Sequence, residues 1–422
     1  MENIFKEVVH IMQHDYAGCK DKSGWDQPSY FGQKIKNFKE MNLLTKELFT
    51  EIVNDYLVDF NDKHIFFKGL YSENKKTNVR GFQVRRYEDR LYVSDVDQET
   101  RLEKGMFFKS LGGLTILDLK ELHKRLLNEN HSERENWGPI LSLYDYGELE
   151  DGHGKLVNFS FRSYVKEPYT PVYSVSELEN NILLFKITDF MNSEAIMSLI
   201  EKNKEILNTS ERWIIDVRVN HGGSDFSFYP LLPYIMPEEG VELLDKDDKM
   251  LYHCTISNCK RQIENIEQDL ENIQDEQAKS FLNFLKKEWG FNEGKEFVEF
   301  NFIDILPNTF VKGKKNPKEI VVLSDCMCGS SGDSFVEVCK KSRKVKVIGR
   351  ATMGLNDYAN LTLKKWDEGY ELWYPTSRLS RIDKGLGMTG KGIEPNIYIP
   401  WTPEHLERDV DLEAALSLHI LS

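Results

Sequence analysis

Residues 321–335 read VVLSDCMCGSSGDSF. Ile320, Val321, Val322 and Leu323 form an apolar, largely β-branched run that gives way to small, turn-prone residues. A helical pattern then starts at Asp333 and Ser334 and continues through Phe335, Val336 and Val338. This is the signature of strand, tight turn and helix. A serine in such a turn stands at a helix N-terminus, where unpaired N–H groups and the helix dipole favour negative charge. A serine nucleophile needs that setting, because attack on a carbonyl creates an oxyanion. Ser, Asp and Gly also open ordinary helices as caps. The stretch therefore takes its chemical meaning from what surrounds it.

The chain has 422 residues, more than one ordinary core can hold, so two or three domains are expected. It is 40% apolar and 29% charged, the balance of a soluble globular protein. Acidic residues outnumber basic ones 69 to 55, a formal charge of −14. That balance argues against a nucleic-acid surface and against docking on anionic membranes. The opening MENIFKEVVHIMQHDYAG is amphipathic and carries charges throughout, so it does not read as a signal peptide. No later stretch is long and apolar enough to span a bilayer. Six cysteines without an export signal suggest reduced thiols and a cytoplasmic location. Cys326 and Cys328 form a C-x-C with no second Cys or His pair at ligand spacing, so no metal and no cofactor is expected.

Residues 1–68 read as a helical cap domain. Ile4, Val8, Ile11 and Met12 share one face; a loop follows over 18–30; Leu43, Leu44, Leu48, Ile52, Tyr56 and Leu57 recur at helical spacing. The cap ends in VDFNDKHIFF, which holds His64 before a strand-like run. A histidine there can be a packing residue or the general base of a distant serine, since the fold assembles triad partners in any order. Of the other nine, only His221 stands out by context: His10, His14, His123, His405 and His419 fall in helix-like stretches, and His131 and His153 in polar loops. Residues 78–130 alternate as short strands with a turn at Glu88-Asp89, glycines at 105, 112 and 113, and a helix over 117–127. They resemble a PDZ domain, which grips an extended peptide by strand addition. NILLFKITDF reads as a buried strand and residues 193–207 as an amphipathic helix. RWIIDVRVNHGGSDF reads as a strand ending at Gly222-Gly223, whose N–H groups can face a ligand. Residues 255–292 form a charged helical insertion with a narrow apolar seam, a lid, an oligomer contact or a helix packed on its own domain. A last helix runs from Thr402 to the end.

The order helical cap, PDZ-like module, LLFKITDF, IIDVRVNHGG, VVLSDCMCGSSGDSF, VIGRATMGL and GKGIEPNIYI resembles the tail-specific (C-terminal processing) serine peptidases and the related core of tricorn protease. The resemblance is strongest over residues 180–400. It implies an α/β catalytic domain of the crotonase/ClpP-like spiral type over 155–401, acting on peptides or unfolded proteins. On the family's pattern Ser330 takes the place of the nucleophile, with Ser331 as its rival. The tail-specific branch uses a lysine in a phenylalanine-glycine-lysine-glycine motif; here the motif reads Met353-Gly354-Leu355-Asn356, and Leu355 cannot accept a proton. The departure points to the tricorn-like branch, whose serine works with a histidine, here His64. Its oxyanion hole implies the N–H of Ser331 and a glycine of the turn, Gly222 or Gly223. The acid that orients the histidine falls near Thr389, with Asp383 and Glu394 as the nearby carboxylates and Asp383 taken for the third position. Two other classes stay open: a peptide-binding scaffold that has lost its chemistry, and a crotonase-type acyl-CoA enzyme on a related spiral.

Overall fold

The computed structural model describes residues 1–70, 78–129, 131–150, 154–245, 247–273, 276–302, 305 and 309–418. His153 and His419, and the last four residues of the C-terminal helix expected from Thr402, lie outside them. The fold is mixed α/β and divides into two compact units, each assembled from three chain segments.

The first unit comprises residues 1–73, 242–311 and 355–389. Its helices are Glu2–His14, Pro28–Glu40 and Lys46–Leu57. Pro28, expected in a loop, instead opens the second helix at its first position, where the missing N–H costs nothing. The third helix starts only at Lys46, because the Thr45 hydroxyl accepts from Leu48 N–H and caps it, leaving Leu43 and Leu44 outside. These helices bury Val8, Met12, Phe49, Val53 and Tyr56 in one core with Leu372 and Tyr374. The last two come from an antiparallel sheet of strands Phe66–Gly69, Tyr370–Leu379, Met250–His253 and Phe297–Glu299, with Tyr358–Trp366 also paired on Tyr370–Leu379. The charged insertion is a helical hairpin, Ile256–Asn272 and Glu276–Phe291. Cys259, Ile266 and Trp289 of its seam pack with Tyr252 and Phe300 of the same unit.

The second unit comprises residues 74–241, 312–354 and 390–422. An antiparallel sheet runs in the order Phe82–Tyr87, Arg90–Val96, Phe107–Leu111, Tyr146–Glu150, Leu156–Ser160, with Leu114–Thr115 paired on Phe107–Leu111. The hairpin turn falls at Glu88-Asp89 as expected, with Glu88 at φ 53°. The helix expected over 117–127 is two pieces, Ile116–Leu122 and Lys124–Leu127, broken at His123. Leu91, Val93, Phe108, Leu111, Ile116 and Leu119 form its core.

The second sheet holds the serine turn. Its order is Tyr173–Leu178, Ile182–Ile187, Arg212–Asp216, Glu319–Ser324, Val345–Gly349, Ile397–Tyr398. All neighbours are parallel except the first pair. Parallel strands covered on both faces read as continuous apolar runs, which is how WII and IVVL looked in sequence. Ile214, Val321 and Leu323 are buried in its core. The strand Tyr173–Leu178 carried no such signal, because its residues alternate between half-buried and exposed.

Candidate active site

The strand Glu319–Ser324 feeds a turn and then the helix Ser331–Cys339, which begins two residues earlier than the periodicity suggested. Ser330, half-buried, is the cap residue of that helix and stands at φ 58°, ψ −123°. An L-residue with a side chain reaches that region at a cost of about 1–3 kcal/mol, and only where its surroundings hold it there. Asp333, fully buried, does the holding. Its Oδ2 accepts the Ser330 N–H at 2.7 Å and its Oδ1 accepts the Gly354 N–H at 2.8 Å. Ser330 and Asp333 form a capping box at the helix start, and a serine on a sharp, strained strand-to-helix turn is the setting that serine hydrolases use for nucleophiles.

The glycine turn lies directly against this serine. A Cβ on Gly222 would sit 2.6 Å from Ser330 Cβ and 3.1 Å from Ser331 N, and the residue stands at φ +76°. A Cβ on Gly223 would meet the Phe190 carbonyl carbon at 2.3 Å. Only glycines permit this approach. Asn220, fully buried, organises the turn: its Oδ1 accepts the Gly222 N–H at 2.9 Å and its carbonyl accepts the Gly329 N–H at 3.0 Å. Among the described residues the N–H groups of Gly223 and Ser331 donate to nothing. The Ser331 hydroxyl donates to Asp225 Oδ1 at 2.5 Å, so the rival serine is already engaged. His221 is not gathered into this arrangement; its N–H goes to the Thr188 carbonyl and its ring meets Tyr169 edge-on at 5.0 Å.

Just upstream, Asp325 receives Arg85 at 2.7 Å and 2.9 Å and Arg350 at 2.7 Å and 2.9 Å. Arg350 also reaches both oxygens of buried Asp411, at 2.6 Å and 2.7 Å. Burial pushes the Asp325 carboxyl up, but the two guanidiniums outweigh it and hold it well below the usual aspartate range.

His64 belongs to the first unit and is 8% exposed. It follows Asn61, a left-handed residue at φ 44° that ends a short helical turn. Its N–H donates to Asp62 Oδ1 at 2.9 Å, and its Nδ1 lies 2.8 Å from the Tyr358 carbonyl. A carbonyl oxygen can only accept, so Nδ1 carries the proton and a neutral ring keeps Nε2 as its basic nitrogen. Asp383, expected as the orienting acid, is engaged elsewhere: Arg378 takes both its oxygens, at 2.7 Å and 3.3 Å, and its side chain is 61% exposed. The carboxylate that meets Thr389 is Asp357, which accepts from the Thr389 hydroxyl at 2.6 Å and from the N–H groups of Thr389 and Met388 at 2.7 Å and 2.9 Å. Among the described residues no cluster of side chains is suited to a metal ion.

A family model for Peptidase family S41 matches residues 181–399, just over half of the chain. The chain belongs to the S41 peptidase family. It is thus a serine-type peptidase, a hydrolase that acts on peptides or proteins. Comparison with curated proteins found no match. Among solved structures, mature CPAF complexed with lactacystin is 16% identical, with a TM-score of 0.66 over 98% of this chain and 96% of that one. Mature CPAF alone gives 14% identity and 0.66 over 98% and 95%. Tricorn protease gives 14% identity and 0.41, over 98% of this chain and 36% of that one. At such identities the CPAF likeness is one of fold. No helix among the described residues is long and apolar enough to cross a membrane.

Sequence reading did not find Asn220, Asp357 or the Tyr358 carbonyl. Asn220 stands two residues before Gly222, and an Asn at that spacing is a usable sign of a side chain bracing a turn through the N–H two residues on. A backbone carbonyl leaves no sequence signal at all.

Proposed function

We propose that this S41 peptidase cleaves peptide bonds through an acyl-enzyme, with Ser330 as nucleophile and His64 as general base. The observation that carries the reading is the strained backbone of Ser330, held by Asp333 against Gly222. His64 Nε2 takes the proton from Ser330 Oγ, and the alkoxide attacks the substrate carbonyl. The N–H groups of Ser331 and Gly223 donate to the oxyanion; Gly222 is the weaker choice because its own N–H already donates to Asn220. His64 then protonates the departing amine, and water releases the acyl group by the same route in reverse. The Tyr358 carbonyl takes the orienting part that Asp383 was expected to play. A neutral acceptor stabilises an imidazolium less than a carboxylate does.

We read the parallel sheet and its crossing helices as a crotonase/ClpP-like spiral, and the antiparallel sheet with the helix Ile116–Leu122 as a PDZ-like module for an extended peptide. The six cysteines are unpaired, which supports a reducing, cytoplasmic setting.

The test is labelling with a fluorophosphonate probe. Wild type is expected to label, and Ser330→Ala and His64→Ala are expected to lose labelling by several powers of ten, the scale of other triads. Full labelling of Ser330→Ala would sink the nucleophile assignment.

A further inference from the structure

Lys22 carries an ammonium group into the interior beside the His64 turn, and the chemistry above gives it nothing to do. Its side chain is 4% exposed. Taking an ammonium out of water costs several kcal/mol unless its partners compensate. A methionine would fill the same space without that cost. Burial accordingly pulls the Lys22 pKa down, against the carboxylates of Asp62, Asp357 and Asp21.

The partners of Lys22 all lead to His64. Its Nζ donates to Tyr16 Oη at 2.8 Å. Tyr16 Oη donates in turn to Asp62 Oδ2 at 2.7 Å, and the other oxygen of Asp62 accepts the His64 N–H at 2.9 Å. Nζ also lies 3.5 Å from the Asn61 carbonyl, three residues before the histidine. On its remaining side it sits over the Tyr358 ring, 4.2 Å from the centroid. Tyr358 is the residue whose carbonyl receives the imidazole Nδ1–H. One buried cation thus touches both supports of the imidazole: the turn that carries its main chain and the strand residue that orients its ring.

The geometry points to Lys22 as a positioning residue for the histidine base: it clamps the Asn61-Asp62 turn to Tyr358 and so fixes the plane and tautomer of His64. The inference rests on His64 being that base. Without the ammonium, the buried Asp62 carboxylate keeps Tyr16 but loses its nearest cation, 4.0 Å away. Tyr358 loses its cation–π contact, and both supports can shift. A base misplaced by about 1 Å costs on the order of 100-fold in rate.

The experiment is the rate of fluorophosphonate labelling, resolved into a limiting rate and a half-saturating concentration. Wild type, His64→Ala, Lys22→Met, Lys22→Arg and the double variant Lys22→Met with Asp62→Asn are compared, with thermal melting of each. For Lys22→Met the limiting rate is expected to fall about 100-fold, with half-saturation within about twofold of wild type. Lys22→Arg keeps the charge and is expected to recover part of the rate. The double variant removes the stranded carboxylate, so it is expected to regain melting temperature but not rate. If Lys22→Met does not fold, the double variant decides, and a wild-type rate there overturns the proposal. A wild-type rate in Lys22→Met, or a loss confined to half-saturation, overturns it too, provided that His64→Ala is inert. If His64→Ala labels like wild type, the base assignment itself falls, and this inference with it.

Discussion

Replacing Asp333 by alanine tests the serine turn at its support. The two carboxylate oxygens of Asp333, whose side chain is fully buried, hold the N–H groups of Ser330 and Gly354 at 2.7 Å and 2.8 Å. An orphaned buried N–H costs about 1–3 kcal/mol, so losing both partners costs about 2–6 kcal/mol. The carboxylate also sits in the first turn of the helix Ser331–Cys339, where the dipole favours it by about 0.3–1 kcal/mol. Water entering the vacated space offsets part of the loss, which leaves an expected destabilisation of about 2–4 kcal/mol. The same hydrogen bond opposes the strain at Ser330, about 1–3 kcal/mol. Once it is gone the turn relaxes, and labelling of Ser330 falls by about 100-fold, the cost of a misplaced reacting atom. Asp333→Asn keeps one acceptor but turns an amide N–H toward the other donor, so an intermediate loss is expected. Urea denaturation gives the stability change, and fluorophosphonate labelling gives the rate. An unchanged urea midpoint together with an unchanged labelling rate in Asp333→Ala would refute this account of the turn.

Other perturbations read separate parts of the molecule. Gly222→Ala forces a Cβ to 2.6 Å from Ser330 Cβ at φ +76°, so labelling should fall by at least about 100-fold, as when an oxyanion donor is lost. Leu355→Ala should leave labelling near wild type, since the proposed histidine-based mechanism gives Leu355 no part in proton transfer; abolished labelling would contradict that reading. Arg350→Met removes the guanidinium shared by buried Asp325 and Asp411, leaving Arg85 on the first and Arg218 on the second, and should destabilise the fold by about 3 kcal/mol, the low end for breaking a buried pair, in denaturant titration. The same network sets the acid response. The folded-state carboxyls of Asp325 and Asp411 lie below their unfolded values, so their contribution is full above the ordinary aspartate range and is lost as pH falls through the lower folded values. Melting followed from neutral to strongly acid pH should show that loss in wild type and a flatter acid limb in Arg350→Met.

The sequence by itself carried a good part of this. Continuous apolar runs such as IVVL and WII declare covered parallel strands, because only burial on both faces tolerates them. Small residues ending such a run, followed by helical periodicity, declare a strand–turn–helix, and Ser330 stood in that turn. The absence of a lysine at Leu355 was equally plain. What the sequence could not decide was which groups hold these residues in place. Asp383 looked as good as any acid until Arg378, five residues before it, was seen to engage it; that pairing depends on how the chain turns after the strand Tyr370–Leu379. The Tyr358 carbonyl is invisible in sequence, since every residue has one. The strain at Ser330, the pressure of Gly222 on it, and the burial of Lys22 depend on residues brought together from distant segments. Local patterns follow from covalent geometry and solvation, one residue at a time; the support of a reactive side chain is set by whichever groups the fold leaves within hydrogen-bonding distance, and that only the tertiary structure decides.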